Sequence, residues 1–231
     1  MGDAKGGIRA IDAWYRKYAP SEMKDVKYCF SFILDPLTWH SSKKKIVVPA
    51  DIKGMKVRPS QATVAAWVTL LGGTNVQASA TEVRDVMERG VAEAVTFPWG
   101  SLVLFGIDKV TKYDMEAPLY TTTFVFVMNK DKYDAMSDKQ KAAIDKNCST
   151  EMAGVVGEHW GKFEDAGIDK VKAEQGHEVY KLTPEQTAAW KKAAEPLVKT
   201  WADGAKKTGI DPDAAMAELK ASLKKYNALA E

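Results

Sequence analysis

The chain has 231 residues, 45% of them apolar, enough for one large domain or two small ones with a real core. The net charge is only +2 and the basic residues are interleaved with acids, which excludes the electrostatic footprint of a nucleic-acid binder; the one basic run, SSKKK at 41–45, reads as a solvated loop. No stretch reaches the length of an apolar membrane span, and the start, MGDAKGGIRA, has neither the apolar core of a secretory leader nor a myristoylation signal, since Gly6 stands where Ser or Thr is wanted.

From residue 27 to 98 short apolar runs alternate with amphipathic segments. VKYCFSFIL and IKGMKVRP read as strands, TVAAWVTLLGG as a helix stopped by glycines, and TNVQAS as a strand. TEVRDVMERG is a helix with a Thr cap and a Gly stop, and VAEAVTF is a strand closed by Pro98. This β-α-β-α-β order predicts parallel strands with right-handed crossovers, hence an α/β fold. LYTTTFVFVMN, 119–129, has the strongest strand composition in the chain. Beyond residue 136, Ser137 and Gln140 make a capping box. Ile144, Cys148, Met152, Val155, Val156 and Phe163 then recur at helical spacing, predicting one helix of more than about thirty residues despite Gly154, Gly157 and Gly161. HEVYKL is a short strand. Thr183-Pro184-Glu185-Gln186 opens a helix whose buried face is expected at Trp190, Ala194, Leu197, Trp201 and Ala205, and Asp211-Pro212 opens the last one. Two packed α/β lobes joined by a long helix fit this order.

Chemistry motifs are sparse. His40, His159 and His177 share no metal-ligand spacing, and no nucleophile elbow, P-loop or dinucleotide fingerprint is present, so no metal or cofactor is expected. Cys29 and Cys148 read as free buried thiols, with a bridge as the alternative. What stands out is the rim where strands end, because ligands in open α/β sheets bind beyond the carboxyl ends of strands. Arg58 ends one strand, Phe97-Pro98-Trp99 ends another, and Tyr120, Thr121 and Thr122 enter a third. A guanidinium among aromatics and hydroxyls can hold a small carboxylate by two parallel hydrogen bonds. The plainer reading makes Arg58 a surface residue and Trp39, Trp67 and Trp99 core residues.

DIKGMKVRPS, LGGTNVQASATEVRDVMERGVAEAV and FVFVMNKDKYDAMSDKQKAAI, in that order, resemble the solute receptors of tripartite ATP-independent periplasmic (TRAP) transporters, and the resemblance covers nearly the whole chain. It implies a two-lobed periplasmic-binding-protein-like fold with a long connecting helix. Residues 36–122 and 163–231 would form lobe two; 1–35 and 123–162 would keep the connecting helix and a remnant of an incomplete lobe one. It also implies a periplasmic receptor that delivers a small organic acid to membrane permease subunits without changing it. The remnant of lobe one is expected either to pair with a second copy, giving a homodimer through the incomplete lobe, or to stay mobile. Arg58 takes the place of the family's carboxylate clamp. Phe97, Trp99, Trp39 and Tyr120 are the candidate apolar walls, and Thr121 and Thr122 the candidate neutral hydrogen-bonding groups. Phe97 stands where the family often has an Asn before Pro, which favours a monocarboxylate with an apolar or aromatic tail, and Glu93-Ala94 replaces the family's Asp-Gly. Family members carry a leader and a substantial first portion of lobe one before the segment that resembles residues 1–35; by the resemblance this chain has neither, so either its start is internal to the natural gene or that part was removed. The alternatives are an α/β enzyme that orients a carboxylate on Arg58, with Glu82 and Glu93 as its nearby acids, and a scaffold or sensor that keeps the fold.

Overall fold

The computed structural model describes residues 4–34 and 38–229; the lobe boundary expected at 35–36 and the start at 1–3 lie outside them. In chain order the elements are α1 (Ala4–Tyr15), α2 (Ala19–Glu22), β1 (Val26–Ile33), β2 (Thr38–Ser41), β3 (Lys56–Arg58), α3 (Ala62–Leu70), β4 (Thr74–Asn75), α4 (Val83–Glu88), β5 (Ala94–Phe97), α5 (Trp99–Leu104), β6 (Tyr113–Glu116), β7 (Thr123–Asn129), α6 (Lys130–Asp134), α7 (Asp138–Asn147), α8 (Thr150–Ala173), β8 (Glu178–Lys181), α9 (Pro184–Lys207) and α10 (Pro212–Lys225). They form two compact units, one of Met1–Leu34, Thr123–Lys162 and Gly209–Glu231, the other of Asp35–Thr122 and Phe163–Thr208.

The second unit holds a six-stranded sheet ordered β4-β3-β5-β2-β6-β8. Strands β4, β3 and β5 run parallel, as the alternating pattern predicts, while β2 is antiparallel to both β5 and β6. β2 and β6 are absent from the sequence expectations because they are four-residue strands, TWHS and YDME, in which polar residues interrupt any apolar run. One face of the sheet buries Trp39, Val57 and Ala94 with Trp67 and Trp190; the other buries Val95, Phe97 and Trp99 with Val83, Met87 and Leu102. Alternation along each strand sorts the two sets, since Trp39 lies opposite Thr96 and His40 opposite Val95. On α9 only Trp190 is fully buried. Trp201, expected on the buried face, is 39% exposed, because α9 contacts α3 and the 3₁₀ turn Pro49–Ile52 and then runs on for several more turns.

The first unit corrects four expectations. β1 does not join the parallel sheet; it pairs antiparallel with β7, where Phe30 stacks on Phe126 and Phe32 on Phe124. Residues 209–231, assigned by resemblance to lobe two, belong with α1: Trp14 Nε1 donates to the Ala215 carbonyl at 3.0 Å and Ser222 Oγ to that of Ala10 at 2.8 Å. The single long helix is two. α7 ends at Asn147, Cys148 leaves helical geometry with ψ 66°, and Ser149 Oγ accepts from the Met152 amide at the start of α8. Finally, Cys29 and Cys148 are not free thiols but a disulfide, which ties β1 to that break across 119 residues of sequence. Arg16 reinforces the junction by donating to both cysteine carbonyls, at 2.7 and 3.2 Å, and by pairing with buried Asp12. The glycine of α8 that weakens a lone helix has a packing reason: a Cβ at Gly157 would sit 1.9 Å from Ile8 Cδ1 of α1.

Candidate functional site

The site lies in the second unit, at the ends of β3 and β5. Gly54, at φ +76°, turns the chain into β3, and Pro59 ends it, so Arg58 occupies the last strand position. Pairing with β5 puts Arg58 beside Val95, on the face that carries Phe97. The guanidinium carbon stands 5.2 Å from the Phe97 ring centroid, and Nε donates to the Ala78 carbonyl at 3.1 Å. Arg58 is only 8% exposed, yet among the described residues no carboxylate pairs with it and its terminal nitrogens have no hydrogen-bond acceptor. Burial lowers its pKa, and the nearby Tyr120 opposes that shift. A guanidinium largely withdrawn from water, with no counter-charge and with terminal nitrogens left free, is suited to accept an anion.

Tyr120 closes one side. Its phenol is pushed well above its usual pKa by burial and shares a 2.8 Å hydrogen bond with Ser60 Oγ. The Ser60 amide donates to Thr96 Oγ1 at 2.9 Å, which locks the turn after Arg58 onto β5. Ser60 and Thr96 were not singled out from sequence; their positions, two residues past the arginine and two before Pro98, are the signal that could have done so. Thr122 is buried with no partner for its hydroxyl among the described residues, and the Thr121 carbonyl accepts from Gln61 Nε2 at 3.4 Å. Trp99 is buried at the start of α5 and, with Glu116, Ala117, Pro118 and Lys181, lines a hollow of about 360 Å³. Glu164 of α8 caps that helix start, accepting from the Gly100 amide at 2.5 Å and from Ser101 Oγ at 3.1 Å.

The structure therefore brings Arg58, Phe97 and Tyr120 together. It does not bring Trp39 to them. That ring is fully buried in the opposite core, 6.1 Å from Trp67 and 5.7 Å from Trp190, because its strand position faces away from Val95 and Phe97. Among the described residues no group of His, Cys, Asp and Glu could hold a metal ion, and no helix is long and apolar enough to cross a membrane.

The fold, together with the family match that follows, makes the chain a solute-binding protein of the extracytoplasmic receptor class. Residues 35–204 match the model of the bacterial extracellular solute-binding proteins, family 7, and the chain belongs to that family. Among solved structures it is similar to a marine-metagenome TRAP solute-binding protein specific for aromatic acids, in complex with 3-hydroxybenzoate. The identity is 29% and the TM-score 0.87, over 98% of this chain and 72% of that one. The fold is also shared with a TRAP solute-binding protein of Rhodoferax ferrireducens holding benzoate (23% identity, TM-score 0.89, 98% of this chain and 72% of that one). A third match is the Bordetella bronchiseptica protein holding mandelate (24% identity, TM-score 0.85, 95% of this chain and 71% of that one).

Proposed function

We propose that the chain is a periplasmic TRAP receptor that binds a monocarboxylate with an aromatic or apolar tail and passes it unchanged to membrane permease subunits. The observation that carries this reading is the buried Arg58, whose free nitrogens lack a counter-charge that a ligand carboxylate would supply in two parallel bonds. Phe97 packs its ring against the same guanidinium and offers apolar surface but no hydrogen bond, which disfavours a polyhydroxylated ligand. The aromatic acids held by the marine-metagenome, Rhodoferax and Bordetella proteins support the ligand class. The Cys29–Cys148 disulfide supports an oxidising compartment. Binding is favoured over turnover by the state of the nearby acids. Glu82 accepts from the Ser79 amide and hydroxyl, and Glu93 from the Lys56 amide, so both are engaged structurally.

Thermal melting against a panel of aliphatic, aromatic and sugar acids tests the reading. An aromatic acid at about a hundred times its dissociation constant adds about 2.7 kcal/mol. That corresponds to a rise of roughly 5 to 11 °C for a chain of this size. A panel in which no carboxylate raises the melting temperature, or only sugar acids do, sinks the proposed ligand class.

A second copy of the chain is the further partner, through β7. Among the described residues β7 pairs with β1 alone, and Phe124, Val125, Phe126 and Val127 are 38 to 52% exposed on an uncharged strand. Antiparallel self-pairing about Phe126 would set Phe124 opposite Met128 and Val125 opposite Val127, matching like with like on both faces. Light scattering across a concentration series is expected to show a monomer–dimer equilibrium that Val125→Lys abolishes. A monomer at every concentration refutes this partner.

A further inference from the structure

Behind the site lies a buried polar chain that the ligand contacts do not account for. His40 of β2 is fully buried, and its Nδ1 lies 2.8 Å from Asp114 Oδ1 of β6. The other carboxylate oxygen, Oδ2, lies 2.7 Å from Nδ1 of His177, just before β8. Burial alone would raise the Asp114 pKa, but hydrogen bonds and charge from His40, then His177, outweigh it and hold the carboxyl below its usual value. At the far end of the chain His40 Nε2 lies 3.1 Å from the Phe97 carbonyl, and the His40 ring meets Trp99 edge-on at 4.8 Å. A carboxylate and a carbonyl, both acceptors, therefore flank the two ring nitrogens. An apolar side chain would fill the same space without the desolvation that three buried polar groups cost. The polar chain ends on the last residue of β5, the one whose ring packs against Arg58.

We propose that the His40–Asp114–His177 chain is a positioning element for the ligand site: by gripping the Phe97 carbonyl, with the Trp99 ring packed against His40, it sets the Phe97 ring against the Arg58 guanidinium. This rests on the reading of Arg58 as the ligand clamp. His40 acts through Phe97 and Trp99, and its two hydrogen bonds can be separated. Asparagine places its amide near the Nδ1 position, keeping Asp114 but not reaching the Phe97 carbonyl. Glutamine reaches the Nε2 position and keeps the carbonyl contact.

The test compares His40→Asn with His40→Gln by hydrogen–deuterium exchange of the ligand-free protein and by benzoate titration. In His40→Asn, exchange over residues 96–101 is expected to quicken about tenfold, the equivalent of one lost hydrogen bond, with β7 unchanged. Benzoate affinity is expected to fall by about the same factor, and His40→Gln to recover most of both losses. Parental exchange over 96–101 in His40→Asn overturns the proposal, as does an affinity loss that follows melting temperature in both variants. If benzoate and the other acids fail to bind the parent, the ligand reading fails, while the exchange measurement still decides the positioning role. Should His40→Asn not fold, His177→Ala loosens Asp114 from the other end without touching Phe97. It is expected to quicken exchange over 96–101 about threefold, and no change there overturns the proposal.

Discussion

Arg58→Ala is expected to weaken aromatic-acid binding by about 3 to 5 kcal/mol, two to three orders of magnitude or more, while leaving the fold intact. The first half follows from charge: once a carboxylate is buried against the guanidinium, removing the cation leaves an unpaired buried anion. The second half follows from the free state. Arg58 is 8% exposed and lacks a carboxylate partner among the described residues, so the free protein bears its desolvation cost. Truncation forfeits the Ala78 hydrogen bond and the Phe97 ring contact, each worth about 1 to 2 kcal/mol. It also relieves the partial desolvation of the guanidinium, so the melting temperature of the ligand-free variant should stay close to the parent's. Arg58→Lys should lose most of the affinity as well, because a point charge cannot reproduce the planar fork. Calorimetric titration and melting of the three proteins check this. Near-parental affinity in Arg58→Lys refutes the two-bond clamp, and a large loss of ligand-free stability in Arg58→Ala makes the residue structural.

Reducing the Cys29–Cys148 bridge, or replacing both cysteines by serine, is expected to destabilise the first unit by about 4 to 5 kcal/mol. The bridge spans 119 residues, and loop-closure entropy grows with the logarithm of loop length; the lower figure applies while Asp35–Thr122, the part of the second unit inside the loop, stays folded. For a protein of this size the effect is a drop of roughly 10 to 20 °C. The second unit has its own sheet and two cores and lies outside the bridge's contacts, so its transition should move much less. Scanning calorimetry with and without reductant is therefore expected to show one transition falling away from the other. Superimposed traces would mean that Arg16, Asp12 and the stacked Phe rings hold the junction unaided. Such a loss also predicts that the protein matures only where disulfides form.

Local chemistry carried much of the second unit. The turn at Gly54, the alternation through Val57 and the stop at Pro59 specify where Arg58 stands, because each acts within a few residues. The same holds for the capping boxes at Ser137 and Thr183, whose donors and acceptors are three residues apart. The proposed ligand class draws on local sequence too, since Phe97 stands directly before Pro98. What the sequence could not supply were choices between distant partners. β1 satisfies its edge with β7, roughly a hundred residues away, and nothing in YCFSFIL distinguishes that partner from the parallel sheet. Cys148 sat on a plausible helical stripe, and only the folding back of β1 brought Cys29 within bonding distance and ended the helix there.

The three histidines looked unrelated by spacing, as they are along the chain. Sheet order alone puts β2 beside β6 and β6 beside β8, and so sets His40 and His177 on the two oxygens of Asp114. Trp39 was separated from the site by the same rule: one step along a strand moves a side chain to the other face, which the sequence cannot orient until the sheet's neighbours are known. By itself, then, the sequence determined which residue types end the strands and what charge they present. Only the tertiary structure decided which of them face one another, because burial and strand pairing act between residues far apart in the chain.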